Sequence, residues 1–241
     1  MKAMKRSFVL LFAVALCAAA ASAQTDTGTI KGRIRLIGKE PGNPLIRMGM
    51  DPMCSGMNAR NPVFEEIVSA DEHGNLANVF VRLQGAFPQT PVPSKPVTID
   101  QQKCMFVPRV VGMRVGQTLQ VKNGDPMAHG IHAVSKAGNG VNVTTPSGGA
   151  PFSFKPKHEE VMVKIVCDLH RWMTTYVGVV ANPYFAVSKQ GGSFEIDKVP
   201  PGTYTIEAWQ EIYGLAHKTV TVTAGGTTTV DFTYTNKQEI R

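Results

Sequence analysis

From Ile30 onward the chain alternates apolar and polar residues with a period of two. Ile30, Ile34 and Leu36 share one face against Lys31, Arg33 and Arg35, and Val79, Val81 and Leu83 share another. Leu119 with Val121, and Val161 with Val163 and Ile165, obey the same rule. The last third of the chain repeats it with Tyr204, Ile206 and Ala208, with Val220 and Val222, and with Val230, Phe232 and Tyr234. Successive strand residues point to opposite faces, so each run predicts a half-buried β-strand, and no amphipathic helix is expected after the N-terminal apolar run. Turn signals at Gly124-Asp125-Pro126, Gly191-Gly192, Pro200-Pro201-Gly202 and Gly225-Gly226 separate the strands. Short strands so closely spaced predict an all-β protein built of sandwiches. The Pro-rich stretch Pro88 to Pro96 and the pair Asn182-Pro183 mark boundaries, and Ser135 to Pro151 is expected to be a long, mobile surface loop.

The first residues stand apart from this pattern. Lys2, Lys5 and Arg6 precede an unbroken apolar run from Phe8 to Ala21, and Ala21-Ser22-Ala23 then gives a small-residue cleavage site. That order predicts a signal peptide over residues 1–23 and an exported protein, periplasmic or extracellular. A lipid anchor on Cys17 is disfavoured because bulky Leu16 stands where such signals need a small residue. No later run approaches the roughly 18 apolar residues of a membrane span. The formal net charge of +7 falls by three when the signal is removed, and no dense Lys/Arg run survives, so nucleic acid is not the expected partner. With 43% hydrophobic and 18% charged residues the chain is not a disordered tail, and the mature portion is long enough for two domains of about a hundred residues each.

The densest chemistry lies in Cys167-Asp168-Leu169-His170-Arg171-Trp172-Met173, between two predicted strands. A thiolate, an imidazole and a thioether at Cys-x2-His-x2-Met spacing can all turn inward from one tight loop. Soft sulfur with imidazole favours copper, and two His with one Cys and a long axial Met is the electron-transfer geometry. The second imidazole must come from elsewhere. His129 offers it, upstream in Asn123-Gly124-Asp125-Pro126-Met127-Ala128-His129, directly after the predicted strand Thr118 to Lys122. His132 is the alternative, on the less favourable side of that motif, while His73, His158 and His217 sit in polar surroundings and are expected to be solvated.

Residues Val97 to Val180 resemble the cupredoxins of the amicyanin and plastocyanin type. The resemblance rests on Phe106-x-Pro108, the Val115-Gly116-Gln117-Thr118-Leu119 lead into a strand, the Asn-x-Asp-x-x-x-His run and the short Cys-x2-His-x2-Met loop. It implies a Greek-key β-sandwich over residues 96–182 that holds one type 1 copper on His129, Cys167, His170 and Met173. Gly130 stands where the family usually has Asn, which removes a side-chain hydrogen bond between the ligand loops. After the signal leaves, three cysteines remain, and an exported protein is expected to pair two of them. If Cys54 pairs with Cys104, the odd thiol is Cys167. Neither a second cysteine in the ligand loop, for a dinuclear centre, nor a Cys-x-x-Cys-His haem motif is present. Met48, Met50, Met53 and Met57 around Cys54 are expected to fill a contact between domains rather than to hold Cu(I).

Residues 183–241 resemble the carboxypeptidase regulatory-like domain, a small transthyretin-like sandwich, through Gly192-x-Phe194 and Pro200-Pro201-Gly202-x-Tyr204. The family's domain is an accessory and carries no peptidase site. The segment 24–95 resembles its first strands at Gly28 to Ile34 and at Asn78 to Gly85, so one sandwich split around an inserted cupredoxin is expected. The implied function is a single-electron carrier and not an enzyme, with Arg171 and Trp172 as docking residues beside an exposed His170 edge. Its partner would be a redox protein such as a c-type cytochrome or a dehydrogenase. The alternative is a binding or scaffold module that stores copper or lacks it.

Overall fold

A computed structural model of the chain describes residues 26–49 and 51–235. The expected signal peptide, Cys17 and Met50 lie outside the described residues. The first segment forms β1 (Gly28–Ile37), helix α1 (Pro52–Asn58), the short strands β2 (Ser69–Ala70) and β3 (Leu76–Ala77), and β4 (Phe80–Gln84). The middle of the chain forms β5 (Val97–Gln102), β6 (Met105–Val107), β7 (Val110–Arg114), β8 (Leu119–Asn123) and β9 (His129–Val134). It continues with β10 (Val141–Thr145), β11 (Phe152–Phe154), β12 (Glu160–Val166) and β13 (Thr174–Val180). The last segment forms β14 (Phe185–Val187), β15 (Ser193–Val199), β16 (Gly202–Gln210), β17 (Gly214–Val222), β18 (Thr227–Thr229) and β19 (Phe232–Thr235). The described residues are thus all-β apart from one short helix.

The first sandwich takes its strands from both ends of the described chain. β1 pairs antiparallel with β15, and β18 and β19 succeed one another along β1, both parallel to it. The facing sheet runs β14-β4-β16-β17. Alternation decides which side chains go between the sheets: Ile30, Ile34 and Leu36 are buried, while Lys31, Arg33 and Arg35 stay on the solvent side. They meet Val81, Leu83, Ile206, Phe232 and Tyr234 in one apolar cluster. Tyr204 closes the Pro200-Pro201-Gly202 turn, its hydroxyl donating to the Pro200 carbonyl at 2.9 Å.

The second sandwich lies between these segments in sequence. A five-stranded sheet, β10-β9-β12-β13-β7, faces a four-stranded one, β11-β8-β5-β6. Ile99, Met113, Leu119, Val121, Ile131, Ile165 and Val177 fill the space between them. Two elements depart from the sequence pattern. Within the expected loop from Ser135 to Pro151, Val141 to Thr145 pair with β9 as β10, because Val141 and Val143 still find apolar neighbours in the core. Helix α1 is the other, since the sequence pattern predicts no helix here. Seven residues form no stable helix alone, so this one depends on its ends. Asp51 caps the N–H groups of Met53 and Cys54 at 3.0 and 2.8 Å, Pro52 occupies the first turn, and Cys54 is joined to Cys104 by a disulfide.

This segment leaves the first sandwich after β1 and covers one end of the second. Ile46, Met48 and Cys54 are buried in the second core, with Met57 and Val63 packed partly against it, while Met53 is exposed. Of the methionines singled out from the sequence, Met48 and Met57 lie in this contact and Met53 does not. The two sandwiches themselves meet where aromatic rings rest on bare backbone. Gly112 of β7 and Gly178 of β13 are register partners, and a Cβ at either would lie 2.5 Å from a ring carbon of Phe185 or Phe80. Phe80 and Phe185 come from β4 and β14, so the seat is built by both sandwiches. Ion pairs flank it. Arg82 reaches both Glu159 (2.7 Å) and Glu207 (2.8 Å), and Arg109 meets Glu211 at 2.6 Å. Burial, then the Glu211 charge, pushes the Tyr176 phenol well above its ordinary value, so it remains a donor to Glu211 at 2.9 Å.

Overfilling the aromatic seat tests this account. Gly178→Ala is expected to lower unfolding stability by about 1–3 kcal/mol, as added atoms do in a packed interior, measured by urea denaturation of the metal-free protein. An unchanged midpoint would mean that the rings do not rest on this glycine.

Candidate metal centre

At one end of the second sandwich the strands β9, β12 and β13 deliver three side chains to one buried point. His129 is the first residue of β9, and Cys167 and His170 lie in the turn between β12 and β13. The turn is closed by two backbone bonds: Cys167 N–H donates to the Met173 carbonyl at 3.2 Å, and Met173 N–H to the His170 carbonyl at 2.9 Å. His129 and Met173 are 0% exposed, Cys167 1% and His170 5%. His129 Nδ1 and His170 Nδ1 are 3.0 Å apart, Cys167 Sγ lies 3.6 Å from His170 Nδ1, and one ligand atom from each of the three residues falls within 4.8 Å of the others.

Each imidazole is backed by a carboxylate on its far side. His129 Nε2 faces Asp125 Oδ2 at 2.9 Å, and His170 Nε2 faces Asp51 Oδ2 at 3.0 Å. An ionised carboxylate only accepts hydrogen bonds, so each Nε2 is the protonated nitrogen. Burial, partly offset by Asp125, holds the His129 imidazole below its ordinary value, which keeps this ring neutral near pH 7. The Cys54 N–H, then His170, hold the Asp51 carboxyl below its ordinary value, so it is ionised there. With Nε2 protonated on both rings, two Nδ1 lone pairs converge with a sulfur atom at a site closed to bulk solvent. Such a donor set is what a soft transition-metal ion completes. The residues therefore fit a metal ion, with His129, Cys167 and His170 as the converging donors and Met173 buried in the same core cluster as Cys167.

The surrounding hydrogen bonds fix the donors. Gly130 N–H donates to Cys167 Sγ at 3.1 Å. The side-chain tie that Gly130 cannot make is made by other residues. Gln101 Nε2 donates to the Gly130 carbonyl at 3.0 Å, and the Thr145 hydroxyl donates to Gln101 Oε1 at 2.7 Å. These bonds join β5, β9 and β10 behind the ligands. Asn123 shapes the turn before His129, its amide donating to the Met127 and Thr145 carbonyls. Asp125, in that turn, also accepts from the backbone N–H groups of Lys103 and Cys104 at 2.6 and 2.7 Å.

Other residues singled out from the sequence fall elsewhere. His132 points away from the site and pairs with Asp168 at 3.0 Å on the surface. His73, His158 and His217 are exposed. Arg171 is exposed and Trp172 half-buried, its ring 5.3 Å from that of His170 and its Nε1 donating to the Cys104 carbonyl at 2.9 Å. The His170 edge itself is not exposed, in contrast to the sequence expectation. The α1 segment, with Asp51 and the disulfide, covers it. Asp51, Gln101 and Thr145 carry no signal in the sequence, whereas Asp125 lies in the Asn-x-Asp-x-x-x-His run, where the motif alone gives it no role.

Asp125 holds three donors at once, so its removal is costly. Asp125→Ala is expected to destabilise the metal-free protein by at least about 2 kcal/mol, because buried N–H groups lose their acceptor, and urea unfolding measures it. A loss within error of zero would mean that solvent replaces the carboxylate.

The carboxypeptidase regulatory-like domain family matches residues 177–235, from within β13 to the end of β19. No curated protein matches the chain. Among solved structures it is similar to a Cu-containing nitrite reductase from Thermus scotoductus, at 20% identity and a TM-score of 0.32, over 40% of this chain and 25% of that one. The chain thus spans about a quarter of that protein. It is similar to an oxidised amicyanin variant at 20% identity and a TM-score of 0.32, over 35% of this chain and 82% of that one. For a purple cupredoxin from Nitrosopumilus maritimus the values are 21% and 0.29, over 34% and 98%. Residues 177–235 thus match the carboxypeptidase regulatory-like domain family, and the chain is also similar to cupredoxins among solved structures.

Proposed function

We propose that the chain is an exported type 1 copper protein that carries single electrons between redox partners. The convergence of two imidazole Nδ1 atoms and the Cys167 sulfur in a buried pocket carries this reading, and Met173, buried in the same core cluster, is the residue that would add a thioether. Copper bound there supplies a one-electron couple whose two states both accept nitrogen and sulfur donors. The protein's own part is to hold those donors still. Gly130 N–H on the sulfur, Asp125 and Asp51 on the outer nitrogens, and the Gln101–Thr145 tie leave the ligands little room to rearrange. The donors that converge are buried, with Met173 in the same core cluster, and an ion they held would be shielded from a substrate, which favours electron carriage over an enzyme. The N-terminal apolar run with its basic start supports export, and among the described residues no helix is long and apolar enough to cross a membrane.

With the His170 edge covered, Trp172, packed beside that imidazole and only half-buried, offers the electron a way to the surface. Exposed Leu169 gives flat apolar contact and Arg171 positive charge, which suits a small, short-lived encounter with an acidic redox protein such as a c-type cytochrome or a dehydrogenase. Copper storage is the second reading, favoured by the burial of His170 and by the thioethers of Met48 and Met57 in the same cluster as Cys167.

Two measurements separate them. Purified protein given Cu(II) is expected to turn intensely blue through thiolate-to-copper charge transfer, with Cys167→Ser colourless and His132→Ala as blue as the parent. Copper binding that stays colourless, or survives Cys167→Ser, overturns electron carriage in favour of storage. Trp172→Ala is expected to keep the colour while slowing electron exchange with a protein partner in stopped-flow mixing. An unchanged rate would place the exit elsewhere.

A further inference from the structure

The carboxylate on His170 does not come from the sandwich that holds the other donors. Asp51 stands 119 residues earlier in the chain, in the segment that leaves the first sandwich after β1. Its two oxygens divide the work. Oδ1 accepts the Met53 and Cys54 N–H groups at the start of α1, and Oδ2 is left for His170 Nε2 at 3.0 Å. The helix that carries it is fastened independently. Cys54 is bonded to Cys104, the Asn58 amide donates to the Lys103 carbonyl at 3.0 Å, and Ile46 and Met48 are buried in the second core. Asp51 is therefore fixed against the imidazole by contacts that do not involve the imidazole.

We propose that Asp51 is a positioning residue of the metal centre, a clamp on a lid that turns His170 Nδ1 inward and sets the balance between the two oxidation states. This rests on the copper reading of the site. The orienting effect comes from geometry: an acceptor at Nε2 fixes both the tautomer and the ring plane, so the lone pair at Nδ1 aims at Cys167 and His129. The electronic effect comes from charge. A carboxylate on the far nitrogen makes the ring a stronger donor and adds a negative charge close to the metal, and both favour the more highly charged ion. Asp51 thus holds the reduction potential down. The lid also makes the pocket complete only when residues before β4 are folded onto residues after β4.

Capping and clamping can be separated, because Asn and Ser cap a helix about as well as Asp does. Asp51→Asn keeps the cap and removes the charge, and Asp51→Ser keeps the cap but is too short to reach His170. Both are expected to unfold in urea at a somewhat lower midpoint when metal-free, because the buried His170 N–H loses its charged acceptor, and to bind Cu(I) better relative to Cu(II). The expected change in that ratio is about tenfold, a rise of about 59 mV for a one-electron couple, read by redox titration of the blue absorbance. Asp51→Glu, longer by one methylene but still charged, is expected to recover part of the shift. If the parent is blue and both uncharged variants keep its potential, the clamp is refuted while the copper reading stands. If the parent binds copper without colour, the copper reading fails and takes the clamp with it.

Discussion

A carboxylate behind each buried imidazole is the constraint on which the rest of the site depends. Asp125 and Asp51 face the outer nitrogens of His129 and His170, and that alone decides which nitrogen of each ring carries a proton. With the protons outward, two lone pairs meet 3.0 Å apart beside a sulfur atom. Two facing lone pairs would not hold that arrangement for its own sake. It is stable because the outer bonds and the packed shell fix it before any ion arrives, so the fold rather than the metal bears the cost of bringing the donors together.

The two carboxylates are themselves tied to one another through the chain. Asp51 caps the helix that contains Cys54, and Asp125 accepts from the N–H of Cys104, so the disulfide joins the two residues whose backbone amides the carboxylates hold. Trp172 adds a further link, from the ring beside His170 to the Cys104 carbonyl. A disturbance at either histidine is thereby felt at the same pair of cysteines.

Much of this is legible in the sequence, and the rest is hidden for physical reasons. The strand cores keep the period of two, because burial on one face of a sheet leaves no other pattern; Ile30, Ile34 and Leu36 lie inside while their neighbours lie out. The spacing Cys167-x2-His170-x2-Met173 announces soft donors, since three such residues in one turn serve no ordinary packing need. Helix α1 is hidden because seven residues with Pro52 and Gly56 show no helical period; its stability is tertiary, from a cap and a disulfide. β10 is hidden by the Gly, Asn and Ser residues around it. Asp51 cannot be found from sequence at all, because its partner lies far along the chain and nothing local distinguishes it from any acid before a proline. The exposed edge expected for His170 fails for the same reason: the cover over it belongs to a different part of the sequence.

The split of the first sandwich sets an order of events during synthesis. Leu83 N–H meets the Tyr184 carbonyl at 2.9 Å, so the chain departs and returns at adjoining points, and among the described strands β1 pairs with β15, β18 and β19. A ribosome delivers the N-terminus first. The lid and every donor residue therefore emerge before the strands that β1 requires, and the metal-binding half can close while Ile30 and Ile34 still lack their apolar neighbours from β15 and β19. Until those late strands arrive, β1 has only its bridge at Arg35 to Asn75, and the rest of its edge is a template open to any other strand that meets it.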